Sequence, residues 1–119
     1  MSTEIKTIFC DIDGCLVKHT GNMTQQMENT PELLPGVKDK LVEWERAGYK
    51  IILTTGRRES LRDVTERMLT GLGIFWDVLI MGLPRGARIV INDIKPGTTE
   101  PMALAWSPER NKGFEECPY

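Results

Sequence analysis

Two carboxylates separated by one residue and followed by glycine, Asp11-Ile12-Asp13-Gly14, stand at the end of an apolar, β-branched run that starts at Ile5. On an extended strand, residues two apart point the same way, so both carboxylates can approach one pocket. Two close carboxylates repel unless a cation or a shared proton intervenes. A hard divalent cation with oxygen ligands answers that repulsion, and magnesium is the common choice beside phosphates. The same four residues also suit an ordinary strand-end turn, so alone they decide nothing. A calcium loop of the EF-hand type would need a third acidic ligand before its glycine and a glutamate at its end. Here Gly14 comes too early, and Asn22 holds that final position.

Two further groups of residues sit in comparable places. Thr55-Gly56-Arg57 follows the apolar run Tyr49–Thr54. A hydroxyl and backbone amides at a strand exit can donate to phosphate oxygens, and Arg57 would add charge-assisted bonds. The plain alternative is a turn glycine followed by a surface arginine. Asn92-Asp93 follows Ile89-Val90-Ile91. Asp93 there is a candidate third metal ligand, or simply a turn cap.

These residues need elements to hold them. Ile5–Ile12 reads as a buried strand entering a loop. Residues 17–34 are polar and read as a loop or flap. Pro35-Gly36 precedes a helical pattern with Val37, Leu41 and Trp44 on one face, stopped by Gly48. Tyr49–Thr54 is a second buried strand. Leu61, Val64, Met68 and Leu72 mark a second helix, with Gly71 and Gly73 at its end. Residues 77–81 and 87–91 read as a third and a fourth strand, and 102–106 as a short fifth. Near-continuous apolar strands alternating with helices predict a parallel sheet covered on both faces. Ligands in such sheets bind at the carboxyl ends of the strands, and polar residues recur there three times.

In their order and spacing these motifs resemble the haloacid dehalogenase (HAD) superfamily of phosphohydrolases. Asp11-Ile12-Asp13-Gly14 is similar to its first motif, Thr55-Gly56-Arg57 to its second and Asn92-Asp93 to its fourth. The likeness runs over residues 5–97. It implies an α/β, Rossmann-like three-layer sandwich with a mainly parallel sheet. It also implies a phosphomonoesterase in which Asp11 attacks phosphorus to give an aspartyl-phosphate. Asp13 would protonate the leaving oxygen and then activate water. Mg2+ would be held by the Asp11 carboxylate, the Asp13 backbone carbonyl and Asp93. Thr55, Gly56 and Arg57 would bind the phosphate. A cation fills the family's third motif, and here the region reads Gly82-Leu-Pro-Arg85-Gly-Ala-Arg88. Arg85 is the first choice and Arg88 the second. The chain departs from the pattern at Leu83, where relatives have lysine, at the neutral Asn92 and at Cys15. Neither inter-motif gap holds a cap domain. The expectation is a capless single domain over 1–119, open to bulky substrates, and a homo-oligomer if a neighbouring subunit covers the site.

Composition narrows the classes. Hydrophobic residues make up 40% and charged residues 27%, with a net charge of −2. That balance suits a globular domain and lacks the basic excess of a general nucleic-acid binder. No apolar run is long enough to span a bilayer and no signal-peptide pattern opens the chain, so a cytoplasmic protein without a membrane partner is expected. Cys10, Cys15 and Cys117 are odd in number, and the one histidine, His19, cannot complete a zinc set with them. Cys10 reads as a core residue. Lys18, His19 and Lys95 read as solvated loop residues, Trp44, Trp76 and Trp106 as packing, and Arg110-Asn111-Lys112 as pocket lining or surface charge. The leading substrate is a small phosphomonoester such as a sugar phosphate of polysaccharide synthesis. A nucleic-acid 3'-end phosphatase is the second reading, because Thr55–Ser60 resembles the second motif of polynucleotide kinase-phosphatases. A binding or regulatory module that has lost turnover is the third, motivated by Leu83 and Asn92.

Overall fold

A computed structural model describes residues 4–19, 21 and 31–119. Strand β1 spans Thr7–Asp11, helix α1 Val37–Arg46, strand β2 Lys50–Thr54, helix α2 Arg62–Gly71 and strand β3 Val78–Ile80. A short 3-10 turn, Glu59–Leu61, leads into α2. The strands form one parallel sheet in the order β1-β2-β3. The chain is thus α/β with a Rossmann-like parallel sheet, and among the described residues no cap is inserted between its elements.

Strand register sorts the side chains. Cys10, Leu53 and Leu79 are in register across the three strands and all three are buried. They join Ile12 and Ile51 in a cluster with Val37, Leu41 and Trp44 of α1 and with Leu61 and Leu69 beside or on α2. Right-handed crossovers in this strand order place both helices on one face of the sheet. The adjoining rows, Phe9-Ile52-Val78 and Asp11-Thr54-Ile80, point to the other face. There Phe9 is 58% exposed and Val78 and Ile80 nearly 40%. On the central strand the same face is more covered, with Thr54 buried and Ile52 partly so.

Helix α1 buries the three residues its periodicity marks, Val37, Leu41 and Trp44. Helix α2 is rotated from expectation. It buries Thr65 and Leu69, leaving Val64, Met68 and Leu72 only partly covered. The rotation puts a hydroxyl inside, for a reason given below.

Two expected strands do not form. Residues 87–91 and 102–106 carry no strand, and β3 is the last strand among the described residues. Ile89 and Ile91 are 82% and 90% exposed. A β-branched run forms a strand only when another strand offers a ladder and a surface to pack on. This run meets neither, and with Ile94, Met102 and Leu104, also exposed, it makes an apolar arm. The chain returns to the body at Trp106, whose ring packs edge-on against Phe114 at 5.6 Å. Phe114 in turn packs on Trp44. No helix among the described residues is long and apolar enough to cross a membrane.

Residues 20 and 22–30 of the expected flap lie outside the described residues. Its base is well defined. Lys18 N–H donates to Glu32 O at 2.8 Å and Leu34 N–H to Leu16 O at 2.9 Å, with Leu16 and Val17 fully buried.

Candidate active site

Strand β1 delivers Asp11 at its last position, and the chain then turns at Gly14. Ile12 O accepts the backbone N–H groups of Cys15, Leu16 and Val17, which curls the chain tightly after the strand. Gly14 takes a positive φ of 87°, which a side chain would strain. Asn111 N–H donates to Gly14 O at 2.9 Å, and Asn111 Oδ1 accepts His19 N–H at 2.8 Å. Asn111 itself has φ 65°, a conformation asparagine tolerates better than most residues. Arg110 lays its stem over Gly14, where a Cβ would meet Arg110 Cγ at 3.1 Å. The pair Arg110-Asn111 thus braces the Asp11–Gly14 turn. Its type was visible in the sequence, but its long-range partner was not.

The two aspartates have different surroundings. Asp13 is held by a two-pronged bond from Arg57, with Nε to Oδ2 at 2.8 Å and Nη2 to Oδ1 at 2.7 Å. This fork geometry is the strong form of an arginine–carboxylate pair. The Arg57 side chain is 1% exposed and that of Asp13 12%. The third prong, Nη1, reaches Thr65 Oγ1 at 3.2 Å. That bond explains the buried hydroxyl on α2. A polar residue four positions after Leu61 and four before Leu69 was the signal that could have revealed it. Arg57 therefore offsets the charge of Asp13, although Asp11 still feels it.

Asp11 is left open. Its side chain is 43% exposed, and its nearest cation is Arg88, with Nη2 4.0 Å from Oδ1. Burial pushes the Asp11 carboxyl above its usual range, and the charge of Asp13 adds to this. The Ile12 backbone N–H, Arg88 and His19 pull it back down. With close to half of its side-chain surface in solvent, the carboxylate is open to meet a ligand. Of the two arginines considered for the third motif, Arg88 is the one beside Asp11. Its other nitrogen bonds Gly86 O at 3.1 Å. Arg85 is exposed and not placed in the cluster.

Thr55 lies at the exit of β2 and is 1% exposed. Its N–H donates to Ile80 O and its O accepts from Leu83 N–H, tying β2 to the end of β3. Its Oγ1 accepts the Arg57 N–H at 3.1 Å, which leaves the hydroxyl proton for another acceptor. Gly56 lies close to Leu83 O. Asp93 stands in the arm, exposed, with Asn92 Nδ2 3.4 Å from its Oδ1. Among the described residues no three His, Cys, Asp or Glu gather closely enough to hold a metal ion. Asp11, Asp13 and Asp93 are thus not brought together. The carboxylate left open for a cation is that of Asp11, since Ile12 O and Gly14 O of the following turn already accept backbone N–H groups. One carboxylate suits magnesium, which keeps several waters and takes one or two carboxylates plus substrate phosphate. Cys15 lies beside both aspartates, yet burial, then the charges of Asp11 and Asp13, push its thiol up to about 11. It is therefore inert as a nucleophile near neutral pH.

No family model matches the chain. An uncharacterised protein of Methanocaldococcus jannaschii is 38% identical over 56 residues, 46% of this chain and 56% of that protein. The chain spans about half the length of that curated relative. Among solved structures, a chain of a Pnkp1/Rnl/Hen1 complex overlays with a TM-score of 0.58 at 32% identity, covering 65% of this chain and 27% of that one. A candidate 3-deoxy-D-manno-octulosonate 8-phosphate phosphatase of Vibrio cholerae overlays more loosely, at TM-score 0.48 and 26% identity over 68% of this chain and 42% of that chain.

Proposed function

We propose that the chain is a phosphomonoester hydrolase of the HAD type that works through Asp11. The observation that carries this reading is the unequal pair at the carboxyl end of the parallel sheet. Asp11 is half open to solvent with Arg88 4.0 Å away, while Asp13 is oriented by a buried arginine fork.

In the proposed reaction an Asp11 oxygen bonds to phosphorus as the ester P–O bond breaks, and Asp13, having taken up a proton from solvent on leaving the Arg57 fork, gives it to the departing oxygen. Water then attacks the aspartyl-phosphate, Asp13 takes the water's proton, and inorganic phosphate leaves. For either transfer one Asp13 oxygen must leave the Arg57 fork, so Arg57 would exchange a carboxylate contact for a phosphate contact as substrate arrives. Arg88 would offset phosphate charge from the Asp11 side, with Arg85 able to approach on the same loop. The Thr55 hydroxyl and the Gly56 amide would orient the transferring oxygens. Mg2+, when bound, would be held by the Asp11 carboxylate and the Asp13 backbone carbonyl, with Asp93 joining them once the arm that carries it moves to Asp11, and would lower the charge repulsion that opposes attack. The preferred substrate is a small phosphomonoester such as a sugar phosphate. A nucleic-acid 3'-phosphate is the second reading, supported by the Thr55–Ser60 stretch.

The test is release of p-nitrophenol from p-nitrophenyl phosphate with and without magnesium, beside Asp11→Asn. Magnesium-dependent release that falls by at least ~1,000-fold in the variant is expected. Substantial turnover by Asp11→Asn would sink the nucleophile assignment. Sugar phosphates and a 3'-phosphorylated oligonucleotide, compared at equal concentration, then separate the substrate classes.

A further inference from the structure

The side chain of Arg110 is mounted on the turn that carries the two aspartates. Its stem runs over Gly14, with Cγ 3.1 Å and Nε 3.8 Å from the place where a Gly14 Cβ would stand. The backbone beside it is fixed from two directions, since Asn111 N–H donates to Gly14 O and Asn111 Oδ1 accepts His19 N–H. A packed stem and a fixed backbone remove much of the freedom that an exposed arginine otherwise loses on binding. Arg110 is nevertheless exposed. Among the described residues its guanidinium has no ion pair or hydrogen bond.

The cations around the carboxylate pair divide the work. Arg57 is engaged by Asp13, and Arg88 stands 4.0 Å from Asp11. Arg110 lies at the other end of the turn, over the residue that follows Asp13. In the proposed reaction the phosphoryl group joins Asp11 and the departing oxygen faces Asp13. Past that oxygen lies the alcohol half of the substrate, and Gly14 with Arg110 over it adjoins Asp13. We infer that Arg110 is a specificity-determining residue that binds a negative charge on the alcohol half, so that the preferred phosphomonoester carries a second anionic group near its ester oxygen. The planar guanidinium presents paired N–H donors that suit a carboxylate, a phosphate or a phosphodiester. A neutral hydroxyl draws much less from it. The inference rests on the phosphatase reading and narrows its substrates to esters of alcohols with a charge of their own.

The test compares esters that differ by one charge. Glycerol 2-phosphate and 2-phosphoglycerate share a skeleton, with a hydroxymethyl group in one and a carboxylate in the other. A thymidine dinucleotide 3'-phosphate can be made with its phosphodiester or with a neutral methylphosphonate linkage. The parent should favour the charged member of at least one pair by about tenfold in kcat/KM, the scale of a charge-assisted contact near solvent. The pair that shows the preference tells a carboxylate from a phosphodiester. Arg110→Met keeps a stem over Gly14 and removes the charge, so it should abolish the preference, whereas Arg110→Lys should keep part of it. Because the preference is a ratio, a change that merely loosens the Gly14 turn lowers both members alike and leaves it intact. Equal losses in Arg110→Met would assign Arg110 to bracing alone and overturn the inference. The parent gives a second measurement that needs no variant, since its preference should shrink as salt is added. A preference indifferent to salt would overturn the inference by showing that shape, not charge, is selected. A parent that hydrolyses p-nitrophenyl phosphate and shows no preference in either pair overturns the inference alone. A parent inactive on every ester overturns the phosphatase reading, and the inference with it.

Discussion

Two segments of this chain are written alike and sit differently. Ile8-Phe9-Cys10-Asp11 and Ile89-Val90-Ile91-Asn92-Asp93 are both apolar, partly β-branched and end in aspartate. The first is a strand, paired along its length with β2 and backed by a helix face. The second has Ile91 90% exposed and no strand beside it. Composition prepares a segment to be a strand, and a partner makes it one. The same contrast holds at the two carboxyl ends. Asp11 arrives beside Asp13, Arg57 and Arg88 because its strand is fixed, whereas Asp93 is carried on an arm that the body does not fix.

Four changes would sharpen or break this contrast. The largest effect is expected from Arg57→Met, which leaves Asp13 buried without its fork and strands Thr65. Chemical denaturation should show a loss of about 3–5 kcal/mol, the usual result of removing one partner from a buried pair. A loss under about 1 kcal/mol would mean that the fork does not shape the site. Next is Leu53→Ala, in the fully buried row of the sheet, where a cavity should cost about 2–5 kcal/mol. The third effect is smaller and depends on pH. The Asp11 carboxyl is raised by burial, so the folded state holds that proton more tightly than the unfolded chain does. The parent should therefore gain stability relative to Asp11→Asn as pH falls through the raised value towards the ordinary carboxyl range, and lose it as pH rises. Because the side chain is nearly half exposed, the change should be modest, and a difference that grows with pH would contradict it. The smallest effect is expected from Ile89→Ala, measured on dilute protein. With that side chain in solvent, stability should shift by less than about 0.5 kcal/mol. A core-sized loss would show that the arm is packed.

The sequence made the first three strands and both helices legible, because each carries its own periodicity and stop signal. Val37, Leu41 and Trp44 were read as a face and are one. The face of α2 was misjudged, since Thr65 is polar and counting apolar residues passes over it. The role of Arg57 was also hidden. An arginine after a turn glycine looks the same whether it awaits phosphate or grips a carboxylate 44 positions away. Residues 87–91 were read as a strand because their composition allows it, while the missing neighbour is a fact of three-dimensional arrangement. Arg88 beside Asp11 could not be separated from Arg85 by spacing alone.

The brace that Asn111 forms with Gly14 and His19 also sets a timetable. Its hydrogen bond to His19 spans 92 positions, and Phe114 N–H reaches Pro35 O over a similar separation. Gly113 must stay a glycine there, because a Cβ would collide with the Pro35 backbone. At a translation rate of about 5–20 residues per second, the Asp11–Gly14 turn waits roughly 5–20 s for the residues that clamp it. During that interval the first strand can pair with β2, but the turn after it lacks its clamp. The carboxylate pair is therefore synthesised about 100 residues ahead of the brace that locks its turn in place.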